Sequence, residues 1–238
     1  CASNGFNAIK FLDLAKTEKI TWYSGVPTMH QTILLRARRN LEIAKLLKLR
    51  LIRSSSASLP PVVFKDLNDL FSCPVIEAYG MTEATHQMTS NPLPPKQQKA
   101  GFVGLPAGPE VCIMSENGDI MKQGEEGEVC IKGKNVTLGY ENNEEANKTS
   151  FTNGWFRTGD QGYFDEDGYL KISGRLKEII NKGGEKISPL EVDIVLMDLP
   201  SIDHGVCFGY EDKMLGENIA SAIIIKSGEM CSEDDVLK

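Results

Sequence analysis

The hydrophobic period changes once within residues 151–192, which read FTNGWFRTGDQGYFDEDGYLKISGRLKEIINKGGEKISPLEV. Up to Gly174 the apolar residues alternate around a turn: Tyr163 and Phe164, then Glu166, Asp167 and Gly168, then Tyr169, Leu170 and Ile172. A period of two about a glycine turn predicts a hairpin. Beyond Pro189, Val192, Val195, Leu196 and Leu199 fall at i, i+3, i+4 and i+7, which predicts one face of a helix with Pro189 near its start. One structural regime therefore ends near Gly174 and another begins. Arg175, Lys177, Glu178, Lys182, Glu185, Lys186 and the Gly183–Gly184 pair lie between the two patterns, and Asp160 lies just before the first. Charge and backbone freedom concentrated at one junction are what a hinge beside a site requires.

Upstream, strand and helix alternate. Residues 6–17 carry a helical pattern, Ile20 to Tyr23 are β-rich, and Pro27 opens a second helix through Met29, Ile33 and Leu34. A strand follows over 49–53, then a run of small residues over 54–58. A helix over 61–71 carries Val63, Leu67, Leu70 and Phe71 on one face, and a strand follows over 74–77. This alternation predicts a parallel sheet with covering helices. Ligands of such sheets bind where loops leave the carboxyl ends of strands. Two loops qualify: 54–59, and Tyr79-Gly80-Met81-Thr82-Glu83, although each alone also reads as an ordinary turn or strand exit.

From about Gly101 short alternating segments (Val111 to Ile113, Glu128 to Ile131) are separated by Asn117-Gly118, Gly124 and Gly133, the pattern of antiparallel hairpins. A short helix is predicted near 143–148. A helix over 189–199 with strands near 205–210 and 219–225 forms a separate α+β lobe. Ser232 with an acidic residue three positions on reads as an N-cap opening a last helix.

Composition removes several function classes. With 238 residues, 41% apolar and 25% charged, the chain can bury a sizeable core, and a net charge of −7 argues against nucleic acid or an anionic membrane as the main partner. The longest apolar stretch, 219–225, is far too short to span a bilayer. The six cysteines have no CxxC spacing and read as small core hydrophobes in a reducing compartment, without zinc. The three histidines are too scattered for a metal site.

RTGD at 157–160, a Gly-Arg pair about fifteen residues later and KGGEKISPLEV together resemble the closing signature of the adenylate-forming superfamily: acyl-CoA synthetases, 4-coumarate-CoA ligases, luciferases and peptide-synthetase adenylation domains. YGMTE at 79–83 is among that superfamily's most specific marks, and the resemblance extends over essentially the whole chain. It implies an α/β fold plus a β-barrel subdomain, the carboxyl-terminal part of the large adenylate-forming domain followed by a small mobile α+β lobe. The implied boundaries are an α/β part over 1–100, a barrel-like part over 101–173, a hinge at 174–177 and a truncated lobe over 178–238.

The resemblance also implies roles and cofactors: ATP, Mg²⁺ and coenzyme A. Tyr79 offers a flat face to adenine, Gly80 lets backbone approach closely, and Met81 borders the nucleotide. Thr82 donates to the α-phosphate, and Glu83 is a hard oxygen ligand for Mg²⁺. Ser56 and Ala57 line the adenine and acyl walls. Asp160 accepts from both ribose hydroxyls, with Arg175 a forked donor beside it, unless the two simply pair or Asp160 only caps a turn. Lys177 marks the hinge, grouped with Thr82 and Glu83 as catalytic; Gly183 and Gly184 border the pantetheine passage; Lys186 lies on the nucleotide side. Lys182, Glu185 and Lys186 also read as a solvated charge run. The superfamily's Ser/Thr/Gly-rich phosphate loop and its PKTxxGK-type lysine are both absent from the sequence, so an internal fragment, inactive alone, is expected.

Within the superfamily RSSSASLPP, YGMTEATHQMTSNPLPP, NVTLGYENNEEANK and INKGGEKISPLEVD look most like the oxalate-CoA ligase branch. There the histidine three residues after the motif glutamate, here His86, serves the small dicarboxylate; the alternative is an exposed histidine on a helix turn. The implied function is an ATP-dependent acid-CoA ligase acting through an acyl-adenylate. A fatty or aromatic acyl-CoA ligase, or a nucleotide-binding fragment without full activity, is the alternative. The expected partners are a small carboxylic acid, ATP or AMP, and CoA, with no nucleic acid and no membrane span. The expected compartment is the cytoplasm, or the peroxisome if a eukaryotic signal lies outside this chain.

Overall fold

The computed structural model describes residues 5–236. The chain divides into two compact units, one holding residues up to 111 with 131–156 and 164–171, the other holding 112–130, 157–163 and residues from 172 onward.

The first unit opens with α1 (Ala8–Thr17), β1 (Trp22–Gly25), α2 (Pro27–Arg39), α3 (Leu41–Ala44), β2 (Leu51–Ser54), α4 (Pro61–Phe71) and β3 (Val75–Met81). Helix starts follow local chemistry. The Asn7 side chain accepts from the amides of Ile9 and Lys10, and α2 and α4 each begin with proline, whose missing N–H would be unpaired there anyway. Arg36, Arg38 and Arg39 in the last turn of α2 oppose its dipole. β1, β2 and β3 pair in parallel, Tyr23 with Ile52 and Ile52 with Val75. The core on this sheet includes Leu12, Ile33, Leu34, Ile52, Leu67 and Val75, all buried. Each such side chain contributes roughly 1.5–3 kcal/mol by leaving water. On α4 the buried residues are Val63, Phe64, Leu67 and Phe71, with Leu70 only partly covered.

The sheet is mixed rather than wholly parallel. β4 (His86–Ser90) and β5 (Leu105–Pro106) extend it antiparallel, giving the order β1-β2-β3-β4-β5. Tyr79, Gly80 and Met81, expected in a loop, therefore belong to β3, because β4 folds back along them. Thr82–Ala84 forms one 3₁₀ turn.

Next come β6 (Glu110–Met114), β7 (Gly127–Lys132), α5 (Glu144–Ser150), β8 (Phe151–Thr152), β9 (Trp155–Phe164) and β10 (Leu170–Arg175). The long strands form one sheet in the order β10-β9-β7-β6, with β8 on β9. The Asn143 side chain accepts from the Ala146 amide and so opens α5.

The second unit adds β11 (Ile180–Lys182), β12 (Glu185–Ile187), α6 (Pro189–Asp198), β13 (Ile202–Asp212), β14 (Gly216–Ile225) and α7 (Glu233–Val236), with strand order β12-β11-β14-β13. Gly183 and Gly184, both at positive φ (63° and 98°), make the two-residue turn joining β11 to β12, a conformation that favours glycine at both places. The stripe predicted on α6 is corrected: Val195 is 61% exposed and Leu196 is the buried residue. The helix rests on β13 at Gly205, where an added Cβ would lie 2.9 Å from that of Leu196, and Asp193 accepts from the Cys207 amide at 2.5 Å. Proximity to a glycine, not the heptad-like spacing, selects the buried face. Ser232 and Asp235 exchange side-chain-to-amide bonds of 3.0 and 3.3 Å, the predicted cap of α7. Cys73, Cys112, Cys130 and Cys207 are free thiols buried as expected, Cys231 is half-buried, and Cys1 lies outside the described residues. Among the described residues no helix is long and apolar enough to cross a membrane.

Candidate functional site

In the first unit the residues of YGMTE run along β3 into the 3₁₀ turn. Tyr79 stands opposite Thr89, Gly80 opposite Gln87 and Met81 opposite His86, with a bulge between Tyr79 and Gly80. A bulge bends the strand and re-aims the side chains beyond it. A Cβ on Gly80 would sit 1.6 Å from the His86 carbonyl oxygen, so the space beside Gly80 is filled by its own neighbouring strand. Tyr79 and Met81 pack against the buried cluster of Ala84, Met88, Ile131 and Phe156. Thr82 is exposed and Glu83 half-buried. The Glu83 carboxylate accepts from the Tyr140 hydroxyl at 2.8 Å, and its carbonyl accepts from the Thr137 amide at 2.7 Å. Desolvation, and then the bond to Glu83, raise the Tyr140 pKa.

His86 is exposed, as the alternative reading had it, but it is the first residue of β4 and not a helix-turn residue. Arg53 Nη2 lies 3.0 Å from His86 Nε2, and Arg53 Nη1 donates to Ser24 Oγ at 3.2 Å. A guanidinium can only donate, so Nε2 accepts and the imidazole proton sits on Nδ1. Partial burial lowers the Arg53 pKa. Arg53 is the residue that sequence reasoning missed. The available signal was a charge at the third position of a four-residue strand, immediately before the serine run. Ser56, at φ 76°, and Ala57 are exposed on the loop after β2.

Glu77, also unforeseen, is 3% exposed on β3. It accepts from the Gly101 amide at 2.8 Å and from the Leu59 amide, so one carboxyl ties the end of the serine loop and the Gly101 turn to the strand carrying Tyr79. Burial pushes its pKa up to about 7, while the two amides pull it down. With the folded value above the ordinary 4.5, this group's contribution to stability is full below that value and is lost as pH rises through about 7. Between pH 5 and pH 8 the wild type is expected to lose about 2.5 kcal/mol relative to Glu77→Gln in urea unfolding. Parallel pH profiles for the two proteins would show that Glu77 is ionised throughout.

In the second unit Asp160 is buried on β9 (5% exposed), its amide donating to Thr158 Oγ1 at 3.1 Å. Arg175, at the end of β10 with its side chain 56% exposed, donates Nε to Asp160 Oδ1 at 2.8 Å. Lys177 is exposed in the turn that follows, where the Glu178 amide donates to the Arg175 carbonyl. Gly183 and Gly184 occupy the β11–β12 turn. Lys186 on β12 is exposed and lies 3.7 Å from Glu116, a pairing worth little in water. Lys186 also lines a cleft of about 490 Å³ with Met114, Glu128, Arg157, Gln161 and Leu176. The structure thus joins Asp160 to Arg175 directly and strings Tyr79 through His86 along one strand-turn-strand. Lys177 stands in the turn after β10, apart from the β11–β12 hairpin that carries both the glycine pair and Lys186.

Among the described residues no group of three or more His, Cys, Asp or Glu could form a metal cage. Mg²⁺ in phosphate chemistry needs only one or two carboxylates beside phosphate oxygens and water, and the half-buried Glu83 fits that demand.

A nucleotide-binding class agrees with a mixed sheet carrying this strand-turn-strand and, on a separate unit, a buried Asp160 paired with an exposed Arg175. The chain belongs to the AMP-binding enzyme family, whose profile matches residues 2–141. It is 52% identical over 236 residues to an oxalate-CoA ligase of Arabidopsis thaliana, covering 99% of this chain and 46% of that protein. It is 46% identical over 236 residues to an oxalate-CoA ligase of Saccharomyces cerevisiae, covering 98% and 43%. The fold superimposes on ATP-bound MatB from Rhodopseudomonas palustris with a TM-score of 0.89 at 31% identity, covering 98% of this chain and 46% of that one. The chain spans about half the length of the curated relatives it matches.

Proposed function

We propose that the enzyme containing this chain is an AMP-forming acid-CoA ligase whose acid is a small dicarboxylate such as oxalate. The observation that carries this reading is the pairing of Arg53 with His86 at the strand-turn-strand. A monocarboxylate presents one charged group, which is consumed by adenylation. A dicarboxylate brings a second, and an apolar pocket would reject it. A guanidinium beside an imidazole offers that second carboxylate a forked cation and a neutral N–H donor. The Arabidopsis and Saccharomyces oxalate-CoA ligases among the relatives support the same substrate class.

The reaction has two halves. The acid's carboxylate attacks the α-phosphate of ATP, releasing pyrophosphate and forming an acyl-adenylate; the CoA thiol then displaces AMP to give the thioester. Tyr79 stacks on adenine beside Met81, Ser56 and Ala57. Thr82 donates to the α-phosphate, and Glu83 would hold the Mg²⁺ that neutralises phosphate charge. The carboxylate of Asp160 accepts the ribose hydroxyls while Arg175 holds it in place. In this reading residues 1–100, 101–173 and 178–238 act as an α/β part, a barrel-like part and a small lobe. Rotation about 174–177, centred on Lys177, exchanges the two halves of the reaction. Gly183 and Gly184 border the pantetheine arm, and Lys186 faces the nucleotide.

Pyrophosphate release by the full-length enzyme tests the substrate. Arg53→Ala and His86→Ala are each expected to lose on the order of 2–3 kcal/mol in kcat/KM for oxalate. A medium-chain and an aromatic acid should lose little. Any backbone strain introduced by the substitutions is common to all three acids, so the ratio isolates the side chain. A wild type that ignores oxalate, or variants that lose all three acids alike, would make the enzyme a fatty or aromatic acyl-CoA ligase instead.

A further inference from the structure

The turn between β3 and β4 adopts a conformation its residues disfavour. Thr85 and His86 have φ of 53° and 79°, and neither is glycine. For a β-branched residue this region is an outlier, and such backbone persists only where its surroundings over-determine it. Here the surroundings are residues 135–140, between β7 and α5. Asn135 Nδ2 donates to the Ala84 carbonyl at 2.8 Å and to the Gln87 carbonyl at 3.3 Å, bracketing the two strained residues. Two acceptors on one side fix the amide's orientation, since its oxygen could bond neither. The Asn135 carbonyl in turn accepts from Thr85 Oγ1 at 2.9 Å.

The same segment treats Glu83 separately. Thr137 and Tyr140 hold it, and Tyr140 is itself clamped by Asn147, whose Oδ1 accepts from the Tyr140 amide at 2.7 Å and whose Nδ2 donates to the Tyr140 carbonyl at 2.9 Å. Two neighbouring functional positions are thus secured by different residues of one segment.

We propose that Asn135 is a positioning residue for acid selection: by bonding the carbonyls on both sides of Thr85 and His86, it holds the imidazole against Arg53. This rests on the dicarboxylate reading above. Because Glu83 keeps its own supports, losing the Asn135 amide should be felt by the acid and not by the nucleotide.

The test is pyrophosphate release by the full-length enzyme in four forms: wild type, Asn135→Ala, His86→Ala and the double variant. Asn135→Ala is expected to raise KM for oxalate at least about tenfold while KM for ATP changes less than about twofold. In the His86→Ala background the same substitution should add less than about twofold, because its effect passes through the imidazole. An unchanged KM for oxalate, or losses that multiply across the two sites, would overturn the proposal. If His86→Ala alone leaves oxalate untouched, it is the dicarboxylate reading that fails. Should Asn135→Ala not fold, Thr85→Gly is compared with Thr85→Gly plus Asn135→Ala. Glycine accepts the backbone at 85 without strain, while His86 still depends on the amide. A rise in KM for oxalate between those two supports the proposal, and no change overturns it.

Discussion

Gly80→Ala is expected to cost more than about 4 kcal/mol of folding stability and to abolish activity, although it adds one methyl group. That methyl would have to share space with the His86 carbonyl oxygen, 1.6 Å away, with the carbonyl carbon at 2.5 Å. Backbone cannot step aside as a flexible side chain would, so β4 must leave β3 and the turn carrying Glu83 and His86 must unravel. Gly124→Ala is the control. Gly124 has φ of 86° and nothing within 4 Å of an added Cβ, so only the backbone cost of about 1–2 kcal/mol applies. Urea unfolding of both variants reads the difference directly. Equal, small losses would show that β4 can move away from Gly80 cheaply.

Asp160→Ala should disable adenylation with a loss of about 3–6 kcal/mol, two hydrogen bonds from ribose to a charged acceptor at roughly 1.5–3 kcal/mol each. The competing explanation is that Asp160 serves only as the counter-ion of Arg175. Those cases separate, because Arg175 has its side chain 56% exposed and can return to water when its partner is removed. An ion pair with one member so exposed is worth no more than about 1 kcal/mol. Arg175→Ala should therefore cost much less than Asp160→Ala in kcat/KM for ATP. Matched losses in the two variants would reduce Asp160 to a structural partner.

What could be read in the residues was whatever is decided within one turn of chain. Pro27, Pro61 and Pro189 mark helix starts because a missing N–H matters only to its own helix, and Asn143 and Ser232 cap theirs through bonds spanning three residues. The YGMTE and RTGD residues were likewise found as strings, since their spacing is local. What escaped was decided across distance. Arg53 meets His86 thirty-three positions on, and Asn135 reaches Ala84 across fifty-one, and no period records either. Gly80 was misleading for the same reason. A glycine after a short strand suggests a break, yet here it admits the returning strand and prolongs β3 to Met81. On α6 the spacing counted Val195 into the buried face, whereas the small residue beneath the helix, Gly205, decided which side lay down.

The positive φ at His86 bears on how substrate range can change over generations. Left-handed backbone admits glycine freely, asparagine and aspartate with little strain, and valine or isoleucine only at a penalty. Under the dicarboxylate reading, the direct route toward longer apolar acids would replace His86 by a branched hydrophobe. The backbone closes that route before the pocket is consulted. A lineage that abandons the second carboxylate would have to rebuild the turn, with residues 85 and 135 changing alongside 86, or else relax selectivity from the Arg53 side, where a strand in ordinary β geometry accepts any side chain.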